Sequence, residues 1–512
     1  MAVLLGPSRR HKEILPVTVL TDTLPEAAVR GHHVPTGLYI RGQWSNRDDT
    51  FTVINPSTGE VIARMANGNV ADSLCALDAA VAAQESWRTV APRARADLFH
   101  RAHTLLTSRA DAFADVMVVE SGKPRAEALG EFVLAAGFFL WYAEQIAHLH
   151  GTFGAGSPGG YRIVTTHQPV GPCLLITPWN FPLLMSARKA GAALAAGCTV
   201  VVKSAKETPL TAALFIQTLH EAGFPPGVVN LIHTTDSAGV SAAILADPRI
   251  RKISFTGSTG VGSSLLQKAA QHITNASMEL GGDGPFIVLA DADVDLAVRE
   301  AVACKFRNAG QACVAANRII LHEAIAEEFT TKFVEQTRQL RVGDGFSGAD
   351  VGPIISDRQR QRVSRLVTSF ADSGAEVLIG GRTIDGPGFF YEPTVLRFHS
   401  NDNALCREEL FAPVAALYRV ASAGEALSFA NDTHYGLAAY LFTKDLSRAF
   451  TIAERLEFGM VAVNRGIMAD PAAAFGGVKS SGLGREGGHD GIYEFLEPRY
   501  LAITVDEQAI DL

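Results

Sequence analysis

The chain has 512 residues, of which 47% are apolar and 19% charged, and its formal net charge at pH 7 is −8. The apolar fraction excludes a disordered chain, because enough apolar surface is available to offset the entropy of ordering it. The acidic balance and the lack of a long basic run argue against a nucleic-acid-binding protein. The charged fraction is below the roughly 25% of an average soluble protein. It fits either a large core rich in Ala and Gly or a surface partly covered by other subunits.

The first part of the chain predicts a loose extension, short strands and a long helical region. Residues 1 to about 36 show no clear periodicity and are expected to form a loosely organised extension. Alternating side chains predict strands at Leu38–Trp44, Phe51–Ile54 and Glu60–Met65. From Ala71 to His148 apolar residues recur with helical spacing, with one break at Ser121–Pro124. After a stretch rich in Gly and Ser, a further strand is expected at Tyr161–Gln168.

From Cys173 onwards, short apolar strands alternate with longer helices, which predicts a parallel sheet with right-handed crossovers. The first stretch of predicted elements is Cys173–Thr177, Leu183–Ala196, Cys198–Lys203, Leu210–Ala222, Val228–Ile232, Ser237–Ala246, Lys252–Thr256 and Gly260–Ala270. The second stretch is Phe286–Leu289, Leu296–Arg307, Arg318–Leu321, Ala324–Gln339, Gln359–Ser373 and Ala375–Ile379. The predicted fold class is therefore α/β, with two domains and a hairpin-like insertion near residues 151–169.

Cysteine usage and the apolar runs bear on the compartment. The six cysteines are scattered without a Cys-x-x-Cys pair, so a disulfide scaffold is not expected and a reducing cytoplasm is the default. The longest apolar runs, Phe132–Ala143 and Ala190–Val202, fall short of the roughly 20 residues that a membrane-spanning helix needs. His148 and His150 lack further ligands at metal-binding spacing, so no metal is expected. Five cysteines are expected to be small packing residues: Cys75, Cys173, Cys198, Cys304 and Cys406.

Two turns that follow predicted strands carry groups that could bind an intermediate or a phosphate. Ligands of open α/β sheets bind at the carboxyl ends of the strands. In Thr177–Pro182, the Asn180 amide could stabilise a developing oxyanion, or it could cap an ordinary proline turn. In Phe255–Gly262, backbone N–H groups at a Gly-rich helix start could hold a phosphate, or the glycines could only make a tight turn.

Two further segments carry candidate reactive side chains. Glu279, beside the pair Gly281-Gly282, could be a partly buried general base or an exposed turn carboxylate. Cys313 follows Asn-Ala-Gly-Gln, a sequence that releases the backbone, and could be a nucleophile or an inert packing residue. Taken singly, none of the four segments decides between its alternatives.

In this order and spacing, the four segments closely resemble the aldehyde dehydrogenase superfamily, and most closely its NAD(P)-dependent succinate-semialdehyde dehydrogenases. Further family-like stretches are Lys203–Pro209, Glu408–Pro413, Asn431–Ala439 and Phe475–Arg485. The resemblance runs from about Leu38 to about Val505. It implies the aldehyde dehydrogenase fold, in which a Rossmann-like cofactor domain and an α/β catalytic domain are joined by a small β oligomerisation flap.

The resemblance implies the following domain boundaries. Residues 1–36 form the extension, 37–150 and 170–280 the NAD(P)-binding domain, 281–485 the catalytic domain, and 151–169 and 490–512 the flap. The flap implies a homodimer or homotetramer. The expected binding partner is a small-molecule aldehyde, and binding to nucleic acid or to a membrane is not expected. The expected compartment is the cytoplasm.

The resemblance also implies a role for each catalytic residue. Cys313 attacks the aldehyde carbon to give a thiohemiacetal, whose oxyanion is held by Asn180 and the Cys313 backbone N–H. Hydride transfer leaves a thioester, and Glu279 then activates the water that releases the acid. Lys189 and Glu486 lie where family members relay protons. This covalent route splits one difficult step into two easier ones.

The family-like cofactor contacts are Thr177, Trp179, Lys203, Lys206, Gly257, Ser258, Leu280, Glu409 and Phe411. The residue three after Lys203 is informative, because many NAD-preferring members have Glu there. This chain has Lys206, whose cation could pair with a 2′-phosphate. NADP is therefore expected to be preferred. NAD is the alternative, if Lys206 points to solvent and Glu207 takes over.

Two arginines carry the substrate expectation. In succinate-semialdehyde dehydrogenases, the arginines that match Arg188 and Arg307 bind the distal carboxylate, and a guanidinium fork clamps a carboxylate through two parallel hydrogen bonds. Phe181 and Phe475 would form the apolar walls of the tunnel. The chain departs from the subfamily at Ala469, where a carboxylate-binding serine is common.

Several alternatives stay open. Asp470, if it faces inward, would repel an anionic substrate. Arg465 could replace the missing serine in binding the substrate carboxylate. Glutarate or 2-oxoglutarate semialdehyde would suit two arginines equally, and an uncharged aldehyde would need neither. A CoA-acylating enzyme would not need Glu279 to activate water. A cysteine hydrolase would need a positioned histidine, which no motif supplies, and a non-enzymatic relative would have no need of the catalytic set.

Overall fold

The computed structural model of the protein describes residues 26–400 and 409–506. Its first elements are β1 (Glu26–Val29), β2 (His32–Pro35), β3 (Leu38–Ile40), β4 (Gln43–Ser45), β5 (Thr50–Ile54) and β6 (Val61–Ala66). The β1–β2 hairpin buries Val29 and Val34, so the expected loose extension is wrong for residues 26–35. Residues 1–25 lie outside the described chain. The single strand expected at 38–44 is a hairpin, because left-handed Arg41 and Gly42 turn the chain.

The helical region contains α1 (Val70–Arg88), α2 (Pro92–Ser108), α3 (Ala110–Ser121) and α4 (Arg125–Gln145). The sequence indicated one break in this region, and the structure has three. Pro92 fits the first turn of α2, where its missing N–H costs no hydrogen bond. Gly122 ends α3 in the left-handed conformation (φ 77°), which favours glycine.

The next region alternates strands and helices as expected. Its elements are β7 (Thr152–Ala155), β8 (Tyr161–Pro169), β9 (Cys173–Ile176), α5 (Pro182–Ala196), β10 (Val200–Lys203), α6 (Pro209–Glu221), β11 (Val229–Ile232), α7 (Ser237–Leu245), β12 (Lys252–Thr256), α8 (Thr259–Ala269) and β13 (Asn275–Glu279). Strands β9, β10 and β11 are buried along their whole length, as parallel strands covered on both faces should be. Two strands of this region, β7 and β13, were absent from the predicted strands.

The last region is built in the same way. Its elements are β14 (Pro285–Val288), α9 (Val294–Phe306), β15 (Arg318–His322), α10 (Glu323–Arg338), α11 (Asp357–Asp372), β16 (Glu376–Ile379), β17 (Thr394–Arg397), β18 (Val414–Val420), α12 (Ala423–Asn431), β19 (Ala438–Phe442), α13 (Leu446–Ala453), β20 (Met460–Val463), β21 (Gly482–Leu483) and β22 (Leu496–Thr504). Short 3₁₀ turns lie at Ile146–His148, Ala270–His272, Arg307–Gly310, Lys479–Ser481 and Asp490–Phe495. The elements from β17 onwards were not predicted from the sequence.

Two large sheets and a small one organise these elements. The first sheet has the order β21-β13-β12-β9-β10-β11-β3-β4, and its five strands from β13 to β11 run parallel. The second has the order β16-β17-β18-β15-β14-β19-β20 and is parallel except for β16. The third, β22-β8-β7, is antiparallel and is called the flap below. The fold is therefore α/β, as the sequence predicted.

Helix α4 is the most apolar long helix of the fold. Within the described residues, the stretch Arg125–His148 is the one that is long and apolar enough to cross a membrane by length and composition. Half of its apolar window is buried inside the fold, and α4 packs against α2, α3 and α5. The core helix of a globular domain passes the same test.

The cysteines divide by their burial. Cys173, Cys198 and Cys304 are buried, as expected for packing residues. Cys75 is exposed, so the expectation is wrong there, because its neighbours Ala76 and Leu77 occupy the face of α1 that meets the core. Cys406 lies outside the described residues.

Candidate active site

Asn180 and Cys313 lie on loops that belong to different sheets, and hydrogen bonds hold these loops together. Asn180 follows β9 and is 6% exposed. Its Nδ2 donates to the Gln311 carbonyl oxygen (3.0 Å), and its own carbonyl oxygen accepts from Asn308 Nδ2 (3.0 Å). Because an amide nitrogen carries two N–H donors, one N–H of Asn180 is left for a ligand. The sequence-predicted oxyanion group therefore lies beside the loop of the candidate nucleophile.

The loop before Cys313 has an unusual backbone. Asn308 and Ala309 adopt left-handed conformations (φ 52° and 53°), which cost energy for residues with a Cβ. The Asn308 N–H donates to Glu127 Oε2 (2.8 Å), which helps to hold this geometry. At Gly310 a Cβ would come within 2.0 Å of the Ala412 carbonyl oxygen, so only glycine fits. The strained turn follows the end of α9 and directs the chain towards Asn180, so that half-buried Cys313 lies in the loop to which Asn180 is bonded.

The Cys313 thiol is surrounded by charges of both signs. Burial raises its pKa to about 12, and the carboxyl groups of Glu409 and Glu279 add to that shift. The guanidinium groups of Arg188 and Arg307 act in the opposite direction. The resting side chain is therefore a protonated thiol, and a nearby base or cation has to favour the thiolate before it can attack.

Glu279 is a buried carboxyl group without a hydrogen-bond partner in the described chain. It ends β13, is 3% exposed, and neither of its oxygens is hydrogen-bonded. The space beside it depends on Gly476, where a Cβ would lie 2.8 Å from Oε1. Burial raises its pKa well above the usual range, and the neighbouring Glu486 raises it further. A carboxyl group of this kind is suited to accept a proton at neutral pH.

Glu486 has the opposite environment in the same cavity. It accepts a hydrogen bond from Lys189 Nζ, and its Oε2 lies 3.5 Å from Arg188 Nη1. Burial by itself would raise its pKa, but the charges of Lys189 and Arg188 outweigh burial and lower the pKa. Glu486 is therefore a paired anion, whereas Glu279 is an unpaired acid.

The two arginines also differ. Arg188 on α5 is 2% exposed, pairs with Glu486, and places its guanidinium carbon 4.2 Å from the centre of the Phe475 ring. Arg307 is half-buried and lies 5.5 Å from the centre of the Phe181 ring. Arg307 forms no ion pair with any described residue, and its buried Nε has no hydrogen-bond partner there. Its positive charge is available to an anionic ligand.

The loop that departs from the subfamily uses its charges locally. Asp470 is exposed and accepts a hydrogen bond from the Ala472 N–H (2.9 Å), so it caps its own turn. Arg465 is exposed and donates to the Ile467 carbonyl oxygen (2.6 Å). This arrangement supports neither the repulsion of an anionic substrate by Asp470 nor the replacement of the missing serine by Arg465. Ala469 beside them is half-buried.

The Gly-rich segment can accommodate a phosphate. Ser258 is the N-cap of α8 and makes no side-chain capping bond, so first-turn N–H groups of the helix remain for a ligand. A Cβ at Gly257 would come within 2.4 Å of the Phe255 ring. Leu280 packs over the same helix start, where a Cβ at Gly262 would come within 2.5 Å of its Cδ2. The turn is therefore shaped for close approach to its backbone.

The other predicted cofactor residues lie at the carboxyl ends of β9 and β10 and in the loop before β18, a region called the cleft below. Trp179 meets Phe411 edge to face, with ring centres 5.5 Å apart. Burial lowers the pKa of Lys203 to about 8. Glu409 accepts from the Gly282 N–H (3.2 Å), and burial raises its pKa to about 7. Thr177 is buried immediately after β9. Apolar rings, a cation and carboxyl groups together fit the rings, phosphates and ribose hydroxyls of a dinucleotide.

Lys206 lies at the mouth of a cavity of about 580 Å³. It is exposed, and Trp179, Glu207, Thr235 and Arg358 line the same cavity. Two cations in one cavity wall suit an additional phosphate better than a free ribose hydroxyl. The alternative that Lys206 points to solvent and leaves the site to Glu207 is not favoured, since both residues line this wall.

Sequence reasoning missed the residues that support the two loops. Lys123 Nζ donates to the Asn180 carbonyl oxygen (2.7 Å), and Gln311 Oε1 accepts from the Ile355 N–H (2.9 Å). Glu127 and Glu131 on α4 contribute further acceptors. One signal was available and not used: Lys123 lies in the break before α4, and Glu131 bounds an apolar run.

Known proteins share most of the length of this chain. The model of the aldehyde dehydrogenase family matches residues 44–501. The chain is 48% identical to a succinate-semialdehyde dehydrogenase of Paenarthrobacter nicotinovorans, over 87% of this chain and 99% of that protein. It is 41% identical to a glutarate-semialdehyde dehydrogenase of Pseudomonas putida, over 91% of this chain and 97% of that one. The NADP(+) succinate-semialdehyde dehydrogenase of Escherichia coli is 40% identical, over 91% and 97%.

Solved structures share the fold. A succinate-semialdehyde dehydrogenase of Burkholderia pseudomallei superposes with a TM-score of 0.90 at 41% identity, over 92% of this chain and 98% of that one. An NADP-dependent enzyme of E. coli gives a TM-score of 0.90 at 38% identity, over 92% and 98%. The predicted fold class is confirmed.

Proposed function

The chain belongs to the aldehyde dehydrogenase family, and from that premise we propose that it oxidises a carboxylate-bearing semialdehyde to the acid with NADP. The observation that carries this proposal is the pair of guanidinium groups near Cys313. Arg188 is neutralised by Glu486, whereas Arg307 has no ion pair among the described residues. Arg307 is half-buried and its buried Nε has no hydrogen-bond partner among the described residues, so a substrate carboxylate would pair with this cation.

In the first step, Cys313 Sγ bonds to the aldehyde carbon and the carbonyl oxygen becomes an oxyanion. The Asn180 Nδ2 has one N–H free after its bond to Gln311, and it can donate to that oxygen together with the Cys313 backbone N–H. Donors fixed before the reaction stabilise this charge without reorganisation. The cations of Arg188 and Arg307 favour the thiolate that starts the step.

The cofactor would be held by the residues of the cleft. When bound, its nicotinamide supplies a two-electron acceptor for the thiohemiacetal. Trp179 and Phe411 would hold its ring, Glu409 a ribose, and the α8 start with Gly257 and Ser258 its phosphates. Lys206 supports NADP over NAD, because a cation can pair with the 2′-phosphate.

In the second step, Glu279 takes a proton from water as the water attacks the thioester. The carbon–oxygen bond forms, the carbon–sulfur bond breaks, and the acid leaves while Cys313 is released as the thiolate, which regains its proton from water. Glu486 and Lys189, hydrogen-bonded to one another beside Glu279, would pass the proton onwards. The unpaired state of Glu279 supports hydrolysis rather than transfer to CoA.

Succinate semialdehyde is the proposed substrate, and glutarate semialdehyde is the second candidate. The first follows several relatives of that name, and the second follows the P. putida relative. Phe181 and Phe475, each against one arginine, would form the apolar walls between the carbonyl and the carboxylate. Both candidates require Arg307 to bind an anion.

The remaining proposals concern organisation. We propose an N-terminal extension at 1–36, in which residues 26–35 form the β1–β2 hairpin, a cofactor domain of residues 37–150 and 170–280, a catalytic domain of 281–485 and a flap at 151–169 and 490–512. Exposed Phe153, Tyr500 and Ile503 on the flap support a homodimer or homotetramer formed through it. The cytoplasm is the proposed compartment, supported by the scattered cysteines.

A panel of aldehydes tests the function. We expect kcat/KM for the C4 and C5 semialdehydes to exceed that of uncharged aldehydes of equal length by about 10²-fold, the value of a charged hydrogen-bonded pair. Equal values for both groups would refute the arginine site while leaving aldehyde oxidation in place. Acyl-CoA formation when CoA is added would instead identify an acylating enzyme.

A further inference from the structure

A buried lysine and a buried glutamate lie behind Asn180. Lys123 precedes α4, Glu131 lies within it, and both side chains are 1% exposed. Lys123 Nζ donates to Glu131 Oε2 (2.5 Å) and to the Asn180 carbonyl oxygen (2.7 Å). It also lies 4.5 Å from the centre of the Phe181 ring, where a cation is attracted to the ring face. The ammonium group is fully used within the protein and has no contact left for a substrate.

Glu131 holds the chain on the other side of Asn180. Its Oε1 accepts from the backbone N–H groups of Leu183 (3.0 Å) and Leu184 (3.1 Å). These are first-turn groups of α5, which lack a partner inside the helix and form the positive end of its dipole. The one ion pair therefore fixes the segment from Asn180 to Leu184 at both ends.

Stability alone is a weak reason for this pair. Removing two charges from water offsets much of their attraction, and an apolar pair of similar volume is often as stable. Arg95 on α2 provides a contrast, because it is also buried but donates to the Ala195 carbonyl oxygen (2.8 Å) at the far end of α5. Only the Lys123–Glu131 pair is bonded to the residue that carries the oxyanion donor.

We propose that Lys123 and Glu131 are positioning residues that fix the Asn180 amide for oxyanion binding. This inference rests on the proposed function, in which Asn180 stabilises the charge that forms on the aldehyde oxygen. An oxyanion donor acts only within a narrow range of distance from that charge. Without Lys123, the Asn180 carbonyl oxygen would keep Asn308 as its one side-chain donor among the described residues, and the backbone from which the Asn180 amide projects would be held less firmly.

A double-mutant cycle tests the proposal. Lys123→Met, Asn180→Ala and the double variant would be compared by kcat/KM for the preferred semialdehyde, with Tm recorded for each. We expect Lys123→Met to lower kcat/KM by about 10²-fold in the wild-type background, since a misplacement of about 1 Å has effects of that size. In the Asn180→Ala background the same substitution should change kcat/KM by less than about 3-fold, because the group it positions is gone.

The outcomes separate the two proposals. An equal loss in both backgrounds would overturn the positioning role and leave a purely structural one. If Asn180→Ala itself keeps full activity, the proposed function of Asn180 fails, whatever Lys123 does. Arg95→Met is the matched control, since it removes a buried cation of α2 that is bonded to the other end of α5, and its effect on kcat/KM should be the same with Asn180 or Ala at position 180.

A second variant covers the case in which Lys123→Met does not fold. Glu131→Gln keeps an acceptor oxygen for Leu183 and Leu184 but removes the charge that holds Lys123. We expect it to lower kcat by about 10-fold, with KM for the aldehyde changed less than 3-fold, and again only when Asn180 is present. A loss of the same size without Asn180 would overturn the proposal.

Discussion

The charged groups of the pocket fall into a matched set and an unmatched set. On the α5 side, Arg188 and Lys189 both pair with Glu486. On the other side, Arg307 has no ion pair and Glu279 has no hydrogen-bond partner in the described chain. The groups of the first set hold their geometry without a ligand because they pair with one another. The groups of the second set have lost water without gaining a partner, which costs free energy until a reactant binds. The matched groups therefore fix the geometry of the site, whereas the unmatched groups react with the substrate or bind it.

Cys313, between the two sets, provides the hardest test of this division. Cys313→Ser should lower kcat by at least about 10⁴-fold, because the hydroxyl is a far weaker nucleophile in a site built around a thiolate. NADPH formation measures the loss, and cofactor affinity from fluorescence quenching serves as the control. Residual activity within 10-fold of wild type would place the nucleophile elsewhere.

Glu279 should be required for the second step only. Glu279→Gln should lower steady-state turnover by about 10²–10⁴-fold, the usual value of general-base catalysis, while a rapid single-turnover burst of NADPH remains. Stopped-flow absorbance separates the two phases. Loss of the burst together with turnover would show that Glu279 activates Cys313 instead.

The raised pKa of Glu279 gives this step a pH dependence with a definite sign. The carboxyl group is protonated, and inactive as a base, until the pH exceeds its raised pKa. The thioester hydrolysis rate of the wild-type enzyme should therefore rise with pH, and Glu279→Gln should abolish the rise. A hydrolysis rate that falls as pH rises would contradict the assignment.

The arginines allow the two sets to be compared directly. Arg307→Gln should lower kcat/KM for a semialdehyde by about 10²-fold and for uncharged aldehydes by much less, because it removes the cation that awaits the carboxylate while Arg188 still favours the Cys313 thiolate. Arg188→Gln should instead lower Tm and affect both substrate classes, since it leaves Glu486 with one cation fewer. Equal behaviour of the two variants in Tm and in substrate discrimination would remove the distinction between the sets.

The sequence was sufficient for the alternating α/β core up to β16 and for the choice of candidate reactive residues, and the reasons are local. Buried strands such as β9 and β10 read as continuous apolar runs, and Asn180 and Cys313 lie in turns rich in Pro or Gly. The charge matching was not predictable, because it depends on approaches between distant residues. Nothing near Arg188 in sequence indicates Glu486, and nothing near Arg307 indicates that it stays unpaired. The strained turn at Asn308 is likewise held by Glu127, from another helix.

Cofactor preference should respond least, because Lys206 is exposed and water screens its charge. Lys206→Gln should lower the ratio of kcat/KM for NADP to that for NAD by about 5- to 10-fold, since an exposed charged contact contributes on the order of 1 kcal/mol. The difference between the wild-type ratio and the Lys206→Gln ratio should become smaller as salt is added, because screening weakens the contact between Lys206 and the phosphate in the wild-type enzyme. Arg358→Gln is the matched control, a second exposed cation of the same cavity wall. If Arg358→Gln lowers the ratio and Lys206→Gln does not, the 2′-phosphate lies nearer α11 than β10. Lys206 would then be a surface charge without a role in cofactor binding.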